Sequence, residues 1–114
     1  MPTTTQKQSL LDAVAQIRAA EQVLLEMSRS TSDVAKLIQI NTEYTHLDSC
    51  LSQILHAQAL VDDGEFDTAT AALKVQTTSL CEEMETIDRI VNDVALAAKI
   101  AGSVAQAAKI IATL

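Results

Sequence analysis

From Phe66 onward, apolar side chains return at alternating steps of three and four. The positions are Phe66, Ala69, Leu73, Gln76, Leu80, Glu83, Ile87, Ile90, Val94, Ala97, Ala101, Val104, Ala108 and Ile111, all apolar except Gln76 and Glu83. Such spacing keeps one helical face apolar along the whole run. The run holds no Pro and a single Gly, Gly102, so it predicts one helix over about 66–112. Thr77-Thr78-Ser79 (with capping-box spacing from Ser79 to Glu82), Asn92-Asp93 and Gly102 are weak interruptions that predict kinks at most. Straight, this helix would be about 73 Å long at ~1.5 Å per residue.

Two shorter patterns precede it. Leu10, Ala13, Val14, Ile17, Ala20, Leu24 and Met27 form one stripe, and Thr5 with Gln8 has capping-box spacing, which predicts a helix over about 6–28 after a frayed lead-in at 1–5. Ser28-Arg29-Ser30-Thr31-Ser32 breaks the stripe, because Ser and Thr hydroxyls compete for the helical backbone; an N-cap is expected at Thr31 or Ser32. Leu37, Ile40, Tyr44, Leu47, Leu51, Ile54 and Val61 then predict a second helix over about 32–62. Asp62-Asp63-Gly64-Glu65 is the strong turn, with Gly64 expected at positive φ to end that helix. The expected fold is all-α: one domain, 1–114, a three-helix antiparallel bundle with a long C-terminal helix.

Length then poses a problem. The second helix covers about 45 Å and shelters the third only to roughly residue 95. The tail 94–114 stays apolar on two seams, with Leu96, Ile100, Val104, Ala107, Ala108, Ile110, Ile111 and Leu114 as the expected interface. A helix apolar around most of its circumference is buried on several sides. The favoured solution is a helical-bundle oligomer, a coiled-coil-like homodimer or larger assembly joined through these tails, with the seam residues Gln76 and Glu83 setting its register. Docking on another protein or a lipid surface is the second solution. A break near Asn92 that folds the tail back on the first helix, giving a four-helix bundle, is the third.

Composition supports the class and narrows the function. Of 114 residues, 48% are hydrophobic and only 2% aromatic, with two Gly and one Pro, which disfavours a sheet protein. The net charge of −7 and scattered basic residues speak against nonspecific nucleic-acid binding. No secretory segment is visible at the N-terminus, so the two Cys predict free thiols and a cytoplasmic setting. Lys99 and Lys109 interrupt the most apolar stretch, and no membrane span is expected.

The candidate chemistry is sparse. An antiparallel hairpin turned at Gly64 places Cys50 and Cys81 at one level, with His46 a turn from Cys50 and Glu85 a turn from Cys81. His46, Cys50, Cys81 and Glu85 are thus the candidate metal set, of zinc type, weighed against two thiols that simply pack as small hydrophobes. Glu43-x-x-His46 is half of a carboxylate-bridged di-iron pattern, which needs a second copy that the chain lacks. The belt Glu82, Glu83, Glu85, Asp88 and Asp93 reads as a solvated face, or else as a landing place for a basic partner.

Ala15-Gln16-Ile17-Arg18, the loop followed by Asp33-Val34, and the separation of Thr31 from His56 resemble the small helical metal- and formaldehyde-sensing repressors over about half the chain. That family places Cys where Thr31 and, in its copper sensors, Leu60 stand here; both thiols and the basic DNA face are missing. The sequence therefore points to a non-enzymatic helical interaction protein, an adaptor, immunity protein or chaperone-like binder needing no cofactor. A diverged ligand- or metal-responsive repressor and a metal-binding helical bundle are the alternatives.

Overall fold

The computed structural model describes residues 2–91 and 93–114. They form α1 (Thr4–Ser30), α2 (Val34–Ala59), α3 (Asp63–Met84), a single turn α4 (Asp88–Val91) and α5 (Val94–Ala112). There is no strand among the described residues. The four long helices run up and down as a bundle, with α1 lying between α2 and α5, and α3 packed on α5 and, more loosely, on α2.

The ends of these helices follow from short-range chemistry. Thr3 and Gln6 form a reciprocal capping box, at 3.0 and 2.9 Å, so α1 begins two residues before the expected Thr5 site. Asp33, not Thr31 or Ser32, caps α2, because its carboxylate accepts from both the Ala35 and Lys36 amides. Asp62 caps α3 through the Glu65 amide at 2.8 Å. Gly64 does not end α2 at positive φ; it lies in the first turn of α3, where an added Cβ would stand 3.3 Å from the Asp62 Oδ1 that makes this cap.

The expected continuous helix over 66–112 is not formed. It stops at Met84, and the chain turns through Glu85–Ile87 and α4. The turn keeps much of its backbone bonding by tightening to three-residue spacing: Thr86 to Glu83, Ile87 to Met84, Arg89 to Thr86 and Ile90 to Ile87, at 3.0–3.2 Å. Asp93 then opens α5 by accepting from the Ala95 and Leu96 amides. Asn92, the other half of the anticipated weak point, lies outside the described residues. The other two weak points do not break their helices. Thr77 is buried and back-bonds to the Leu73 carbonyl at 2.8 Å, and Gly102 sits in the exposed middle of α5 with open space around it.

Magnitudes explain why the break wins. A continuous rod would leave its end wet, whereas the molecule is only 48 Å in its longest dimension. Folding back buries Ile100, Val104 and Ile111 completely against α1 and α3. At about 1.5–3 kcal/mol per large aliphatic side chain, that gain is on the order of 5–9 kcal/mol. The cost is a few interrupted ladder bonds, each worth about 1 kcal/mol net and partly replaced in the turn.

The residues expected to join two copies therefore serve the chain's own core. Ile100, Val104, Ala107 and Ile111 are buried, Leu96, Ile110 and Leu114 pack against the same cluster half-buried, and Ala108 is half-buried. The geometric reason for expecting a second copy at 94–114 is removed, as is a seam role for Gln76 and Glu83 along one long helix. By length and hydropathy alone, α5 is also capable of crossing a membrane, a test that a core helix passes equally.

Ile100→Ala is expected to cost about 2–5 kcal/mol in urea unfolding, since it opens a cavity between α1 and α5. Val94→Ala, at a side chain 80% exposed, is expected to change little.

Candidate functional site

The seam between α2 and α3 carries the chemistry. Glu43 and His46 are three apart on α2 and so share a side of that helix. Glu83 lies one turn beyond buried Leu80 on α3. The fold brings the three together. His46 Nδ1 stands 2.9 Å from Glu83 Oε2 and 3.9 Å from Glu43 Oε2, and one ligating atom from each residue lies within 4.8 Å of the others. Their side chains are 46%, 36% and 16% exposed for His46, Glu83 and Glu43, so the cluster opens toward solvent through the imidazole. Glu43 Oε2 is shut off from water, and among the described residues the Glu43 carboxyl has the Glu83 carboxyl as its hydrogen-bond partner. Burial, then the adjoining Glu83 carboxylate, pushes the Glu43 carboxyl up to about 7, against a smaller opposing pull from His46.

A second carboxyl pair sits on the other side of α2. Glu21 of α1 is only 6% exposed, with Oε2 buried and its carboxyl hydrogen-bonded to that of Asp48. Burial, then Asp48 of α2, raises it to about 7, and Arg18 offsets part of that. Glu21 falls on the apolar step Val14, Ile17, Glu21, Leu24, which was the signal available in the sequence.

The expected metal set does not converge. Cys50 is fully buried in the core, and burial lifts its thiol to about 11. Cys81 points its Sγ at the Val104 carbonyl of α5, 3.9 Å away, and burial, then Glu85, raises its thiol. Glu85 is exposed at the C-terminus of α3. Only His46 of the four takes part in a cluster of ligating atoms among the described residues, and its partners are Glu43 and Glu83. The hairpin places α2 and α3 in nearly the expected register. The difference arises because α5 claims the Cys81 side of α3.

Toward the opposite end of the same seam, α2 and α3 part around an open cleft of about 860 Å³. Leu60, Ala69 and Ala72 give it an apolar floor, Gln53, His56 and Thr68 edge it, and Asp62 and Glu65 stand at the turn.

No family model, curated protein or solved structure matches this chain, so its surfaces are read from their own geometry.

The two raised carboxyls set an unusual pH dependence. A carboxyl whose folded pKa lies above its unfolded value of 4.5 stabilises the fold fully below that value, and the stabilisation is lost as pH rises through about 7. Discounted for solvent at the bundle rim, each group is worth about 1–2 kcal/mol. Urea midpoints are expected to be higher near pH 5 than near pH 8, and Glu21→Gln to flatten the difference by raising the midpoint at the higher pH.

Proposed function

We propose that this chain is a non-enzymatic helical interaction module, and that its α2–α3 cleft receives a basic, apolar-anchored segment of another protein. The cleft itself carries this reading: it is open, floored by Leu60, Ala69 and Ala72, and next to the acidic turn Asp62, Asp63, Glu65 and Asp67, all four exposed. An amphipathic helix laid in such a groove buries its apolar face on the floor and its cations against the rim. The overall charge of −7 draws the same class of partner and chiefly speeds its arrival. Cys50 and Cys81, both unpaired, suit a reducing, cytoplasmic setting.

The occupant differs from the one the sequence favoured. Self-association rested on an unsheltered C-terminal tail, and α5 already has its shelter inside the bundle. The repressor reading requires a basic face, and of the candidates Arg18, Arg29 and Lys36 only the two arginines are exposed, on a strongly acidic chain.

Nuclear magnetic resonance titration with two short amphipathic helical peptides of the same apolar pattern, one Lys/Leu and one Glu/Leu, tests the reading. The Lys/Leu peptide is expected to shift the amides of Gln53, His56, Leu60, Ala69 and Ala72, with weakening as salt is raised. Equal response to both peptides, or shifts spread over the whole surface, overturns it.

A further inference from the structure

The cluster of Glu43, His46 and Glu83 is not used by the cleft and has its own chemistry. Three potential ligand atoms, one imidazole nitrogen and two carboxylate oxygens, converge from two helices on one spot. Glu43 Oε2 is closed to solvent and no described N–H or hydroxyl reaches it; the partner of the Glu43 carboxyl is the Glu83 carboxyl. A buried polar atom in that state is costly, and a neighbouring carboxylate adds to the cost unless a positive charge lies between them. His46 sits on the Glu83 side, 2.9 Å from one oxygen and 3.9 Å from the other.

The spacing suits a metal ion. Zinc(II) bonds imidazole nitrogen and carboxylate oxygen at about 2.0–2.2 Å, which places neighbouring ligands of a tetrahedral ion about 3.3–3.5 Å apart. The two measured separations bracket that distance. The donor set is mixed nitrogen and oxygen, which favours borderline transition ions over magnesium or calcium. The exposed imidazole edge leaves room for water to complete the coordination.

We infer that Glu43, His46 and Glu83 form a site for one divalent transition ion of the zinc(II) or cobalt(II) type, held by His46 Nδ1 and one oxygen from each carboxylate. Binding displaces any proton held at the ligating atoms, since imidazole and carboxylate ligate in their deprotonated forms. The ion takes the place of the proton between the two carboxyls and clasps α2 to α3 away from the cleft. This site stands independently of the peptide-binding reading.

The full chain, stripped of metal by a chelator, is titrated with cobalt(II) followed by visible absorption, and with zinc(II) by calorimetry in two buffers of different ionisation heat. One ion per chain is expected, with proton release, displaced His46 ring resonances, and affinity at least about tenfold weaker near pH 6 than near pH 8. Glu43→Gln, Glu83→Gln and His46→Ala are each expected to lower affinity by about tenfold or more, while Cys81→Ser and Glu85→Gln retain it. The two Gln variants keep the shape of the side chain, and circular dichroism of each variant checks that the bundle is intact. Absence of binding, magnesium binding as tight as zinc binding, or affinity unchanged in folded Glu43→Gln, Glu83→Gln and His46→Ala overturns the inference.

Discussion

The contact between the first and last helices governs this structure. Leu10, Ala13, Val14, Ile17, Ala20 and Leu24 give α1 an apolar side too wide for α2 alone to cover. The tail from Ala97 to Ile111 carries a matching surface that α3 covers on one side only. Each supplies what the other lacks, and a few interrupted helical bonds around Glu85–Ile87 are a small cost beside the area removed from water. Both helices bury small residues as well: Ala13 and Ala20 on α1, Ala97 and Ala107 on α5.

Because α1 and α5 take most of the core packing, the α2–α3 seam is left with the mixed duties. One end opens into a cleft, the middle is zipped by Leu47, Ile54, Leu73 and Leu80, and toward the other end two carboxylates crowd an imidazole. The groups held at a cost to the fold lie on the flanks of α2: Glu43 toward α3, and Glu21 of α1 beside Asp48. Polar groups retained where apolar ones would stabilise more mark places where something besides stability has shaped the chain.

Much of this was legible in the sequence. The three-four stripes fixed the class, the first two helices and nearly the whole core, since Leu10, Ile17, Leu24, Ile40, Leu47, Ile54, Phe66, Leu73 and Leu80 are all buried as their spacing requires. The apolar stripe continues in phase across Glu85–Asp93, so periodicity alone could not reveal the reversal there. What decides it is a tertiary gain against local ladder bonds, and that gain depends on where α1 lies. The fold-back was among the arrangements the pattern permits, with its break placed near Asn92. At the site, the Glu43-x-x-His46 pair was visible, but its partner depended on the face that α3 turns to α2. Cys81, apparently level with Cys50, is claimed by α5, and that rotation brings Glu83 rather than Glu85 to the imidazole.

Joining the first helix to the last also orders events during synthesis. As the chain leaves the ribosome, α1, α2 and α3 emerge with the greasy side of α1 still bare, and no local pairing can close it. Closure waits for two helices separated by more than half the chain's length, a non-local contact that is slow to form. Until α5 arrives, part of the apolar side of α1 has no cover within the chain.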